Sequence, residues 1–173
     1  MLIKLVTSSV IVIGCTLIGI VYANRFSQRS QLLQQFQIGI QQLETHILYT
    51  AMPLPEAFFY AGRSIGGNVG AFFMTLSDEI HKRRGAPFEK IWRETFHSME
   101  VFSYLNQEDY ELFEQMVPGL GMTDQENQKK NFALIQYRLK NQIEKAEGER
   151  NRNESLYRNL GILGGLMIAI LLL

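Results

Sequence analysis

The chain has 173 residues, 46% of them hydrophobic and 20% charged, a composition that excludes a disordered or fibrous protein and leads to one compact domain as the expectation. Lys and Arg number 17, as do Asp and Glu, so no global field directs the molecule toward nucleic acid or an acidic surface. The single cysteine, Cys15, rules out an intramolecular disulfide and a thiolate metal cluster, and suits a soluble part that is cytoplasmic.

Residues 5–24 carry no charged side chain and as a helix would extend about 30 Å, the thickness of a bilayer core. A cleaved signal peptide is the rival, with Lys4 as its basic region and Val21 and Ala23 before a cleavage site. The apolar run exceeds the usual h-region of about 7–15 residues, and Arg25 and Arg29 follow at once. The balance favours a membrane anchor.

The middle of the chain has almost no strand signal, since period-2 alternation does not persist. Leu32, Phe36, Ile40, Leu43 and Ile47 recur every three or four residues, which predicts an amphipathic helix over residues 27–50 with Ser27 or Ser30 as its N-cap. Met52-Pro53-Leu54-Pro55 stops it. A second helix starts at these prolines, with Glu56 in its first turn, and breaks at Gly66-Gly67-Asn68. A third covers residues 69–84, burying Phe72, Phe73, Leu76 and Ile80, and Gly85 closes it. Its last turn, His81-Lys82-Arg83-Arg84, suits the helix dipole; the functional alternative is a headgroup or partner contact through Arg83 and Arg84.

Pro87 opens a fourth helix, with Phe88, Ile91, Trp92, Thr95 and Phe96 on its apolar face and Trp92 read as core. The fifth, residues 107–117, begins with Glu108, Asp109 and Glu111, where the dipole favours acid; Glu108 and Asp109 are the alternative candidates for a partner contact. Pro118-Gly119 ends it. Thr123 or Asp124 can cap a long final helix with Glu126 as capping-box partner, in which Phe132, Ile135, Leu139, Ile143 and Ala146 form one stripe. Residues 147–155 are polar all round and form either an exposed helical stalk or a flexible lead, with Gly148 as the bend. The two openings Pro53-Leu54-Pro55-Glu56-Ala57 and Pro87-Phe88-Glu89-Lys90-Ile91 echo each other, which suggests two stacked helical hairpins.

Residues 160–173 are again uncharged. They make only about 21 Å of helix, so spanning a bilayer needs snorkelling by Arg158 or local thinning; a buried core helix is the alternative. Gly161 and Gly165 form a G-x-x-x-G pair that lets another helix approach closely. Arg25, Arg29, Arg150, Arg152 and Arg158 all lie on the middle side of the two runs, against Lys4 outside, which places the middle in the cytoplasm.

Chemistry is harder to find. His46, His81 and His97 match no local metal pattern, no cysteine completes a zinc site, and no P-loop or nucleophile elbow occurs. Asn153-Glu154-Ser155 matches a glycosylation sequon, a chance match on a cytoplasmic side. Catalytic, cofactor and metal residues are accordingly expected to be none, and nucleic acid is not an expected partner.

Four motifs in order carry a family resemblance: Ala23-Asn24-Arg25 closing the first apolar run, Met52-Pro53-Leu54-Pro55-Glu56-Ala57, Gly119-Leu120-Gly121-Met122-Thr123-Asp124 followed by Gln128, and Leu160-Gly161-Ile162-Leu163-Gly164-Gly165-Leu166. Over its whole length the chain resembles the stage III sporulation protein AB family. Met52 replaces an expected threonine and Pro55 a small polar residue, departures that touch only helix capping.

The resemblance implies an all-α fold: a cytoplasmic bundle of about six helices similar to the cytoplasmic domain of the type II secretion and type IV pilus platform protein. The expected organisation is a transmembrane helix at 5–24, the bundle at 25–158 with a long helix at 124–158, and a transmembrane helix at 159–173. It also implies a non-enzymatic subunit of the channel between mother cell and forespore, in the mother-cell membrane. Its partners would be a secretion-type ATPase, the other stage III subunits and the bilayer, and a homo-oligomer is compatible with this reading. Pro53, Glu56, Trp92, Gly121, Asp124, Gln128, Gly161 and Gly165 are the structural candidates. A membrane-anchored helical signalling or adaptor module is the competing function.

Overall fold

The computed structural model describes residues 2–120 and 125–172, with the side chains of residues 2–9, 11, 171 and 172 outside the description. Six α-helices are present among them and no strand: α1 Leu2–Glu44, α2 Leu54–Ile65, α3 Gly67–Lys82, α4 Phe88–Ser98, α5 Gln107–Met116 and α6 Gln125–Leu172. The residues group into two compact units, one of Met1–Ser30 with Glu144–Leu173 and the other of Gln31–Ile143.

In the unit Gln31–Ile143, α1 contributes Leu32, Leu33, Phe36, Ile40 and Leu43, each no more than 2% exposed. Phe36 is the hub. Its ring centroid lies 4.2 Å from Phe113, 5.4 Å from Phe102, 6.0 Å from Phe72, 6.1 Å from Phe96 and 6.2 Å from Phe73. The pairs with Phe72 and Phe73 are edge-on, an arrangement that adds roughly 0.5–1.5 kcal/mol each beyond area burial. Trp92, 1% exposed, meets Phe72 edge-on at 5.0 Å and stacks with Phe96 at 6.0 Å.

Prolines and glycines set the helix ends. Pro53 and Pro87 hold the N-cap positions of α2 and α4, and Glu56 and Glu89 lie in the first turns, so the echo seen in the sequence is a repeated helix start. Gly66 (φ +66°) and Gly67 (φ +59°) turn α2 into α3 through the left-handed region that favours glycine. The two helices then press together: a Cβ on Gly62 would stand 2.7 Å from the Gly70 carbonyl oxygen.

Some expectations need correction. Neither Ser27 nor Ser30 is an N-cap, because α1 contains both in its interior, and Ser30 is fully buried. The polar residues there had signalled a helix start, yet nothing in 24–31 breaks a helix. α1 also stops short of Thr50: Thr45–Tyr49 form a π-helical turn, followed by Ala51 at φ +50°, an unusual conformation for a residue with a Cβ. Glu100–Tyr104 and Val117–Gly119 are 3₁₀ segments where no element, and the end of α5, were predicted. Gly148 stays within α6, and the polar stretch around it is helical.

The apolar ends are helical in their described residues. Among the described residues no helix is long and apolar enough to cross a membrane. Of the two expected spans, the side chains of residues 5–9, 11 and 171–173 lie outside the described residues.

Replacing Phe36 by Ala should cost about 3–5 kcal/mol, the range for a large aromatic lost from a close-packed core. Ile38→Ala, on a side chain 50% exposed, should stay within about 0.5 kcal/mol. Denaturant unfolding of the detergent-solubilised chain, followed by near-ultraviolet circular dichroism, measures both.

Candidate functional site

The unit formed by Met1–Ser30 and Glu144–Leu173 inverts the packing of the aromatic core. Its fully buried apolar residues, among those described, are Gly19, Ala23, Ala146, Gly165 and Ala169. Its large apolar side chains point outward: Ile13 is 60% exposed, Ile18 62%, Val21 63%, Leu163 61%, Met167 65% and Ile170 73%.

Glycine makes this possible. A Cβ on Gly19 would sit 2.8 Å from the Tyr157 carbonyl oxygen and 3.1 Å from the Gly161 Cα; one on Gly161 would sit 2.8 Å from the Cys15 carbonyl oxygen. One on Gly165 would sit 3.0 Å from the Val12 Cα and 3.1 Å from the Cys15 Cβ. The Gly161/Gly165 pair was expected to admit another helix. That helix is the chain's own α1, running antiparallel, with 19 opposite 161 and 12 opposite 165. Gly14 has nothing within 4 Å of its Cβ position, so it takes no part.

Beyond the glycine seam come rings and then charge. Tyr157 stacks against Tyr22 at 6.1 Å and Phe26 at 5.7 Å. Arg29, 5% exposed, places its Nη1 2.6 Å from Glu149 Oε2. A guanidinium this buried needs a close acid. Arg29, expected as a near-membrane cation, is therefore an internal ion-pair partner, which the sequence did not reveal. Arg150 pairs with Glu154 at 3.0 Å one turn on, which helps hold the polar stretch helical.

The remaining candidates lie in the unit Gln31–Ile143. Arg83 stands exposed at the end of α3, 2.9 Å from Glu79 Oε2 and also bonded to Glu94. A hydrogen bond from Lys82, with the charges of Lys82 and Arg83, holds the Glu79 carboxyl below its usual range. The hydrogen bond to Glu94, with the acids beside it, pushes Arg83 further up. Arg84 is exposed beside it. Glu108 is exposed and accepts from Gln142 Nε2 at 3.0 Å.

Asp109 must be withdrawn as a surface contact, because it is 0% exposed. Its Oδ2 accepts from the Asn106 amide at 3.0 Å, while the Asn106 side chain accepts from the Asp109 amide at 2.9 Å. This capping box closes the start of α5; the spacing Asn106-x-x-Asp109 was the available signal. Gln128 is 8% exposed, on the inner side of α6, whereas Gly121 and Asp124 lie outside the described residues.

The histidines do not converge. The His81 Nδ1 donates to the Ser77 carbonyl at 2.8 Å, His97 stacks on Tyr110 at 5.8 Å, and His46 lies 6.1 Å from the Tyr60 ring. Tyr110, its pKa raised by burial, donates to the Phe102 carbonyl at 2.9 Å. Among the described residues no group of three or more His, Cys, Asp or Glu could hold a metal ion.

The seam predicts a specific crosslink. Gly165→Cys would set its Cβ 3.1 Å from that of Cys15 and 3.0 Å from the Val12 Cα, slightly closer than the roughly 3.5–4.5 Å Cβ separation of a disulfide, so once the two helices part by a few tenths of an ångström mild oxidation should give an intramolecular disulfide. Gly164→Cys, with nothing within 4 Å of its Cβ position, should not. Mass spectrometry of the non-reduced digest reads the difference.

Comparison with known proteins gives a consistent result. The family model described as stage III sporulation protein AB matches residues 4–173. The chain is 26% identical over 172 residues to "Stage III sporulation protein AB" of Bacillus subtilis (strain 168), covering 99% of this chain and 100% of that protein. A solved structure titled "Stage III sporulation protein AB (SpoIIIAB)" shares the fold, with a TM-score of 0.64 and 24% identity over 72% of this chain and 98% of that one. Since the family model matches nearly from end to end, this chain belongs to the stage III sporulation protein AB family.

Proposed function

We propose that the chain is a non-enzymatic platform subunit of the channel complex between mother cell and forespore, needed for endospore formation. In this reading its paired ends sit in the mother-cell membrane. The bundle lies in the cytoplasm, resembles the cytoplasmic domain of a secretion platform protein, and docks a secretion-type ATPase together with other stage III subunits. Family membership supports the sporulation role.

The observation that carries the membrane half is the inverted packing of the paired ends. In water, burying glycine and alanine while exposing Ile13, Ile18, Leu163 and Met167 gives up hydrophobic stabilisation of about 25 cal/mol per Å² of apolar surface left wet. In lipid the tails are as apolar as the side chains, so small residues mediate helix contact and large ones face outward. Tyr22, Phe26 and Tyr157 then fall where interfacial aromatics belong, interleaved with Arg25 and Arg158.

Deletion of the gene should abolish endospore formation, and the chain should stay in the pellet when membranes of sporulating cells are washed with alkaline carbonate. Intact sporulation in the deletion strain, or release of the chain by carbonate, would overturn the reading. Reciprocal pull-down of the detergent-solubilised complex, with Arg83 and Arg84 reversed in one variant and Glu108 in another, should lose the ATPase from one of the two.

A further inference from the structure

Where α3 gives way to α4, residues 81–87 are all exposed, and a groove of about 300 Å³ opens beside them. Its floor is apolar and comes from three helices: Leu54 of α2, Ile80 of α3, and Phe88 and Ile91 of α4. Its rim carries His81, Arg83 and Arg84. No acidic residue lines it. The groove thus offers apolar surface and positive charge together.

The cations at the rim are not equivalent. Arg83 is engaged by Glu79 and Glu94, and the His81 ring is tied to the Ser77 carbonyl. Arg84 has no acid within ion-pair distance among the described residues and stands in solvent, leaving its guanidinium fork open to an incoming carboxylate. At φ +91°, Gly85 sets the turn from which Arg84 projects.

We propose that this groove is a docking site for a protein segment that seats an apolar side chain between Leu54, Ile80 and Phe88 and sets an aspartate or glutamate on Arg84. The size suits one or two side chains, being at the bottom of the roughly 300–1,000 Å³ range of small-molecule pockets. The charge favours a peptide over a membrane surface, since anionic lipid is held by clusters of about 4–8 cations, and at this rim Arg84 alone is uncommitted. The inference rests on the reading of the bundle as a docking body and supplies the chemistry of its partner.

The test uses the full chain in detergent micelles as bait for a random dodecamer peptide library. The expected pool carries Asp or Glu close to Leu, Ile, Phe or Met. A peptide drawn from it should lose about tenfold or more in affinity to Arg84→Glu, and comparably to Ala86→Trp, which fills the groove. Lys129→Glu, a charge change elsewhere on the bundle, should leave binding unchanged. Circular dichroism matching the parent chain keeps misfolding from imitating the result.

A pool without acidic residues, no enrichment at all, or equal binding to Arg84→Glu would overturn the proposal. So would Arg84-dependent binding to phosphatidylglycerol vesicles that no selected peptide displaces. Each of these leaves the carbonate-wash result standing, and release of the chain by carbonate leaves the peptide result standing, so the two readings fail separately.

Discussion

The constraint on which the membrane account depends is the absence of side chains where the two ends of the chain meet. Gly19 and Gly161 face each other so closely that a Cβ on either would stand 3.1 Å from the other's Cα, and a Cβ on Gly165 would be as near to the Val12 backbone. Backbones this close leave no room for a leucine or isoleucine between them. Large apolar residues such as Ile13, Ile18, Leu163 and Met167 are thereby directed outward, and their exposure follows from the geometry of the contact.

The unit Gln31–Ile143 is organised by the opposite rule. Phe36 lies within 6.2 Å of five other phenylalanine rings, centroid to centroid, and its solvent-facing shell is laced with ion pairs such as Arg93 to Glu114 at 3.2 Å. Large rings inside and charge outside is the arrangement that water selects. The two units thus pack by opposite rules, and that contrast is independent of the family match.

Much of the bundle was legible because its punctuation is strong. Pro53, Pro87 and the Gly66-Gly67 pair mark real helix ends, and Leu32, Phe36, Ile40 and Leu43 of the periodic stripe are buried, whereas Ile47, its last member, is half-buried in the π-helical turn, where Leu48 turns inward instead. Tertiary demands hid other features. The π-helical turn at Thr45–Tyr49 has no composition of its own. The seam shows why spacing underdetermines contact: Gly161 and Gly165 announce a close approach, but their sequence does not say which helix approaches. Asp109 looked like surface charge because its partner Asn106 is neutral and three residues away, and the capping box they form is not visible in charge patterning.

In the proposed reading the paired ends face lipid and the aromatic bundle is what other components meet. The claim that the outward apolar residues face lipid can be measured directly. Spin labels placed singly at Ile13, Leu17, Leu163 and Met167 in the chain reconstituted into vesicles should be accessible to dissolved oxygen and shielded from a water-soluble nickel complex. Labels at Tyr104 and Lys129, on the bundle, should show the reverse. Free access of the nickel complex at all four outward positions would contradict the account.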